Sequence, residues 1–334
     1  MGFESQLFDI RNLVVSPNKQ TAHGTVLVDG KLTHRAQFDP GAVEAALAIS
    51  RASNIERSGK GHFFATGGSE RFEQQRETSF RASFDVTDFF AGWLGAWTFG
   101  KVLTSGVGPY THVFTWERAT NQAPVTSVYT EDGAGIKTKW PDLYISELQL
   151  SGQPVGPLQA QLTMLGSGRH TDVSMTLPAL PTNVYLLGSA TDILIGPQGA
   201  PVSIKERVRQ WSVSFAGGIE PYRGSGGDVY ASMTRLGQPR CSISLVVACK
   251  DTDDIRSLFI AGTLRELQIN TSMGAAAQLN LKFPGVYITE APFAMEGNMR
   301  VYQITIAEQD VIKSGSSEHV EFTAINSQVT YLAT

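Results

Sequence analysis

The chain has 334 residues, of which 42% are hydrophobic and only 17% are charged, against about 25% charged residues in an average soluble domain. Its net charge is −4, and no cluster of lysine and arginine predicts affinity for nucleic acid. The longest apolar run, 89–100, is shorter than the ~18 residues that a membrane helix needs, and the N-terminus lacks a secretory signal pattern. The sequence therefore predicts neither a membrane span nor export by a signal peptide.

The two cysteines, Cys241 and Cys249, are too few for a disulfide framework or a zinc site. If one strand continues between them, they lie about 26 Å apart, which is too far for a disulfide bond. This usage is typical of small core side chains in a reducing compartment.

The first predicted element is an alanine-rich helix over 40–50. Alternation of apolar and polar side chains next predicts a strand over 79–86 that has one buried face and one wet face. Aromatic side chains at helical spacing, after Thr87 or Asp88 as a cap, predict a short helix over 89–97, followed by strands over 111–117 and 158–164. The first half is thus expected to be mainly strand.

The second half shows the same alternation and one more helix, over 253–260, with acidic residues in its first turn. Its strands are predicted over 210–215, 240–248, 263–269, 278–283, 302–306 and 319–332. The fold class that follows is mainly β with a few short helices. The side chains expected in the core are Phe80, Phe84, Trp93, Trp97, Trp211, Phe215 and Leu245.

The order of elements indicates an internal duplication. In each half, an alternating strand runs into a helix and then into a further strand, with an offset of about 164 residues between the halves. We therefore predict an N-terminal arm over 1–70, a first domain over 71–172, a linker over 173–200 and a second domain over 201–334.

The sequence contains no G-x-x-x-x-G-K-[ST] phosphate-binding loop, no H-E-x-x-H zinc motif and no G-x-S-x-G nucleophile motif. The six histidines are scattered singly, and none has the spacing of a metal site on a helix or strand. We therefore expect no catalytic residues, no cofactor and no metal.

Five stretches, taken in order, resemble the tail tube proteins, or major tail proteins, of long non-contractile-tailed bacteriophages. They are 88–97 (DFFAGWLGAW), 110–116 (YTHVFTW), 124–132 (PVTSVYTED), 142–152 (DLYISELQLSG) and 156–166 (GPLQAQLTMLG). The resemblance covers roughly residues 75–170 and is one of strand pattern and small motifs, without a catalytic signature.

The resemblance implies a tail-tube-type β-sandwich or half-barrel whose strands are pooled between subunits into a large ring-shaped barrel. Such rings stack into the conduit through which double-stranded DNA is ejected, and they contact other tail proteins at the tube ends. The protein would be made in the host cytoplasm and become part of the virion tail. Two tandem tube domains favour a trimeric ring with pseudo-sixfold symmetry, and a hexamer is the alternative.

If this holds, the wet faces of the strands line the lumen. The candidate lumen-facing residues are Gln159, Gln161, Thr163, Gln210, Ser212, Ser214, Ser242 and Ser244. Two other functions remain open: a different structural part of the virion, such as a baseplate or capsid-associated β protein, and a β-rich carbohydrate-active protein. The last would need carboxylates and aromatic side chains that converge on a pocket.

Overall fold

The computed structural model describes residues 10–38, 41–53, 71–117, 123–222, 230, 232–235, 238–250, 254–314 and 318–334. The elements of the first half are β1 (Ile10–Val15), β2 (His34–Gln37), β3 (Val43–Ser53), β4 (Arg71–Asp85), α1 (Asp88–Phe99), β5 (Gly100–Ser105), β6 (Tyr110–Trp116), β7 (Thr126–Asp132), β8 (Lys137–Gly152), β9 (Gln159–Gly166) and β10 (Thr171–Asp172).

The elements that follow are β11 (Thr191–Gly196), β12 (Val202–Ser203), β13 (Val208–Ala216), β14 (Ile219–Tyr222), β15 (Ser232–Arg235), β16 (Arg240–Ala248), α2 (Asp254–Ala261), β17 (Arg265–Ser272), β18 (Gln278–Val286), β19 (Phe293–Glu296), β20 (Met299–Ile306), β21 (Val311–Ile312) and β22 (Glu321–Asn326). The chain is mainly β, as its alternating pattern predicts, and its strands pair antiparallel.

The first sheet contains a continuous run of eight strands in the order β3-β4-β9-β8-β13-β16-β20-β19. The long strand β8 pairs with two different sets of strands. Its second half lies within this run, and its first half pairs with β7 and β10. Through β7 the sheet continues to β1 and β2.

The second sheet has the order β12-β11-β17-β18-β22-β6-β5, with β21 paired to β18. The helix α1 contacts β8 of the first sheet and β5, β6, β18 and β22 of the second, so it is packed between the two. Every residue from Phe89 to Phe99 is buried. This explains why the helix is apolar on all sides rather than along one stripe.

Thr87 caps the start of α1, since its hydroxyl accepts a hydrogen bond from the backbone N–H of Phe90 at 3.4 Å. Gly100 ends the helix in the left-handed conformation. The second predicted helix is present as α2, while the acidic residues Asp251 and Asp253 that precede it lie outside the described residues.

The predicted helix over 40–50 is wrong, because this segment forms β3. Hydrogen bonding to β4 along the whole of β3 outweighs the helix propensity of its alanines, which amounts to less than about 1 kcal/mol per residue. The strand predicted over 319–332 is shorter than expected and ends at Asn326.

The seven side chains expected in the core are buried to different degrees. Phe80, Trp93, Trp97, Trp211, Phe215 and Leu245 are buried in one continuous apolar cluster. Phe84 is only half-buried and packs at the edge of that cluster, with its ring 5.0 Å from the ring of Phe90.

The eight-strand run repeats one arrangement twice. In the first half, the order β3-β4-β9-β8 has α1 directly after β4; in the second, the order β13-β16-β20-β19 has α2 directly after β16. The two sets join through β8 and β13, and the halves of the chain also meet in the second sheet through β6 and β22. The proposed domain boundaries remain a prediction.

Candidate functional site

The eight polar side chains singled out in the sequence lie on one face of the first sheet. They belong to β9, β13 and β16, and they alternate with buried apolar residues on all three strands. Since β8 lies between β9 and β13, the four neighbouring strands β9, β8, β13 and β16 form one continuous surface. This surface is the face of the sheet that points away from α1 and the core.

The antiparallel register places these side chains in rows across the strands. One row consists of Ser83, Gln161, Gln149, Ser214 and Ser242. The next consists of Asp85, Gln159, Ser151, Ser212, Ser244 and Thr305. Amide and hydroxyl groups therefore dominate the centre of the face, which we call the polar face.

Sequence reasoning did not include the members of the polar face that β8 contributes, Gln149 and Ser151. Their alternation with the buried residues Leu148 and Leu150 is the sequence pattern that indicates an exposed face for them as well. Their place beside Gln161 and Ser212 is visible only from the pairing of β8 with strands from both halves of the chain.

A charged row borders the polar rows. It consists, strand by strand, of Glu44, Arg81, Thr163, Glu147, Ala216 and Arg240. The guanidinium of Arg240 also lies 3.3 Å from the carboxylate of Glu308. Acidic and basic groups alternate here, so the face carries no patch of a single sign, and a shallow depression of about 480 Å³ lies over it.

Within the described part of the chain, no group of three or more His, Cys, Asp or Glu residues could hold a metal ion. The same residues contain no helix that is long and apolar enough to cross a membrane. Burial raises the pKa of the Cys241 thiol, which keeps it protonated and unreactive.

A buried carboxylate fixes the point at which β8 changes partners. Asp142 is fully buried with a positive φ of 61°, and its carboxylate accepts hydrogen bonds from Gln20 Nε2 at 2.9 Å, from the backbone N–H of Gly24 at 2.7 Å and from Ser167 Oγ at 2.8 Å. The guanidinium of Arg169 lies 3.8 Å away. These contacts make Asp142 a structural anchor for the segment before β2, a role that the sequence pattern did not indicate.

The eight-strand run ends in two open edges. Among the described residues, β3 pairs only with β4, and β19 pairs only with β20. The β19 edge also exposes the large apolar side chains of Phe293 and Met295. An open edge of this kind is a template for pairing with a further strand.

No curated protein matches the chain significantly. A family model for phage tail tube proteins matches residues 67–324, about three quarters of the chain, including all eight strands of the run except β3. The chain therefore belongs to the phage tail tube protein family.

Proposed function

We propose that the chain, which its family makes a structural component of the phage tail, forms rings in which the eight-strand runs of neighbouring chains join into one closed barrel. In this arrangement the polar face lines the lumen, and stacked rings form the conduit for DNA ejection. Other tail proteins would contact the ends of the tube.

The observation that carries this proposal is the junction between β8 and β13. It joins the last strand of the first set to the first strand of the second through six paired positions, from Glu147–Ala216 to Gly152–Trp211. Since β19 occupies in the second set the place that β8 occupies in the first, the equivalent junction joins β19 of one chain to β3 of the next. Closure by this contact would remove both open edges.

The size of the barrel favours three chains in a ring. Three runs of eight strands give 24 strands, which at about 4.8 Å between strands and a tilt of about 40° enclose a barrel about 50 Å across at the backbone. This leaves a bore wider than a DNA duplex after side chains are added. Six chains would double the diameter to about 100 Å, far wider than a duplex requires.

The chemistry of the polar face suits a surface past which DNA must slide. Its central rows carry uncharged amides and hydroxyls, and its charged row alternates in sign. A lumen without a basic patch makes no multiple phosphate contacts with counterion release, and such contacts would hold the duplex in place.

Lysines placed on the polar face test the conduit. The variant Gln161→Lys with Ser244→Lys is expected to form normal tubes but to slow DNA ejection, because each ring would present six new cations to passing phosphates. The defect should weaken as the salt concentration rises. The measurement is the rate of DNA ejection from purified virions over a range of ionic strength.

The matched control is Asn280→Lys with Thr111→Lys, which adds the same charge to the solvent face of the second sheet. This control is expected to eject DNA at the wild-type rate. Normal ejection from virions whose tubes carry lysines at 161 and 244 would show that the polar face does not meet DNA.

A further inference from the structure

One end of the first sheet concentrates exposed apolar side chains. At this end, which we call the turn end, β8 turns into β9 and β19 turns into β20. The side chain of Val155 in the first turn is 87% exposed, and that of Met295 beside the second turn is 63% exposed. The two hairpins occupy equivalent places in the repeated strand order, so both halves of the chain present an apolar side chain at the same end.

A third apolar element lies beside the first turn, next to the end of β4 and the start of β9. The segment 180–187 exposes Leu180, Val184 and Tyr185 to solvent, with Leu180 51% exposed. It is held against the turn end by backbone hydrogen bonds, from Asp88 N–H to the carbonyl of Val184 at 3.0 Å and from Leu186 N–H to the carbonyl of Val86 at 3.0 Å. The exposed side chains therefore belong to an ordered surface.

Two cavities open beside the first turn and the segment 180–187. A cavity of about 300 Å³ beside the β8–β9 turn has Ile193, Val208 and Trp211 among its lining residues, with Lys205 and Arg209. A second of about 810 Å³ is lined in part by Leu180, Tyr185 and Phe84, together with Arg11 and Arg35. Apolar projections that alternate with cavities are typical of a surface that interlocks with a partner.

We propose that the turn end is the surface on which the next ring of the same protein stacks. The inference rests on the proposed ring. Barrel strands are tilted by only about 35–45° from the axis, so the ends of the strands face along the tube. Each of three chains would then present two hairpin turns and one apolar segment to the adjoining ring.

The partner is the opposite end of a second copy, because a contact between unlike surfaces that does not close on itself builds an open filament. Stacking would cover Val155 and Leu180, which do not belong to the lateral edge strands β3 and β19, whereas Met295 lies where the turn end meets the β19 edge. Ring stacking can therefore be tested at Val155 and Leu180 separately from ring closure.

The test is the variant Val155→Asp with Leu180→Asp, supplied to a phage that lacks its own copy of the protein. We expect rings of three chains to form, as measured by chemical cross-linking, and long tubes to be lost, as counted by electron microscopy. Carboxylates buried at the ring-to-ring contact would be unpaired and would prevent stacking. The control, Val26→Asp with Val28→Asp, changes two exposed valines in the turn before Asp29 and is expected to form tubes as the wild type does.

Tubes of normal number and length from the Val155→Asp, Leu180→Asp variant would overturn the assignment. Loss of rings together with tubes would overturn it as well, since the surface would then be a lateral contact or required for folding. Loss of tubes in the control variant would show a general effect of added charge and count equally against it. If the wild-type chain supplied in the same way formed neither rings nor tubes, the proposed function itself would fail.

Discussion

Trp211 lies on the core face of β13, only 3% exposed, and its indole ring packs against Gly152 of β8, where a Cβ would lie 2.6 Å from the indole nitrogen. It therefore helps to hold together the junction between the two halves of the chain. Ser212, the next residue, points to the polar face.

Trp211→Ala is expected to lower the free energy of unfolding by about 3–5 kcal/mol, because it leaves a cavity at a fully packed position. Ser212→Ala should change it by less than about 0.5 kcal/mol. The measurement is urea unfolding of the dilute, unassembled protein. Equal stabilities of the two variants would reject the assignment of the two faces.

A half-buried histidine makes stability depend on pH. The ring of His34 stacks on that of Phe89 with 3.5 Å between centroids, and burial lowers its pKa to about 4. As the pH falls, the imidazole of the unfolded chain takes up a proton near pH 6.5, whereas that of the folded chain does so only near pH 4. The contribution of His34 to the free energy of unfolding is therefore fully present above about pH 6.5 and is lost as the pH falls toward about 4. Burial also lowers the pKa of His112, which adds to the loss in the same direction.

His34→Phe retains the stacking and removes this proton. Its melting temperature is expected to fall less than that of the wild type between about pH 7 and pH 5, because one titrating group is lost. Thermal melts at a series of pH values make the comparison. An unchanged pH dependence would mean that folding does not lower the pKa of His34.

At the scale of the element, α1 depends on the absence of a side chain at Gly92. A Cβ there would lie 2.5 Å from Cζ and 2.6 Å from Cε2 of Tyr331. The Tyr331 hydroxyl donates a hydrogen bond to the carbonyl of Phe89 at 3.0 Å and accepts one from Asn326 Nδ2 at 2.9 Å, so the ring has no freedom to move away.

Gly92→Ala is therefore expected to destabilise the fold. Alanine gains about 1 kcal/mol over glycine in a helix, but overpacking of a filled core costs about 1–3 kcal/mol. In the control Gly30→Ala, the added methyl group meets open space, and stability should be unchanged or slightly higher. A melting temperature of Gly92→Ala above that of the wild type would contradict the packing of Tyr331 on α1.

The elements that the sequence predicts best are those in which local and tertiary preferences agree. The strand that became β13 alternates strictly, and α1 combines a capping residue, helical spacing and a terminal glycine. The alanines of the β3 segment favour a helix, and its pairing with β4 is a tertiary contact that local propensity does not include. The two-sided role of β8 depends on the contacts of Asp142 with Gln20 and Ser167, which no periodicity encodes.

The same distinction holds for the polar face. Alternation of polar and apolar residues predicts that its members on β9, β13 and β16 are exposed to water, because successive side chains of a strand point to opposite faces of the sheet. Their arrangement in rows depends on the register between separate strands, which for β8 and β13 places Gln149 opposite Ser214 from the other half of the chain. Local pattern therefore indicates which side chains are wet but not which of them are neighbours.

At the scale of the whole molecule, one chain already contains a junction of the type that the ring requires. Within the described part of the chain, its eight-strand run is open at β3 and β19, and a sheet with two open edges is prone to uncontrolled pairing. The proposed closure into a ring would satisfy both edges and leave the polar face as an inner wall, which would link the fold of the single chain to the tube.

The most direct test is a cryo-electron microscopy reconstruction of assembled tubes at a resolution that separates the strands. The account predicts three chains in each ring, a wall of 24 strands, β19 hydrogen-bonded to β3 of the next chain, and Gln161 and Ser244 facing the bore. A ring in which β3 and β19 remain unpaired, or in which Gln161 and Ser244 face away from the bore, would contradict it.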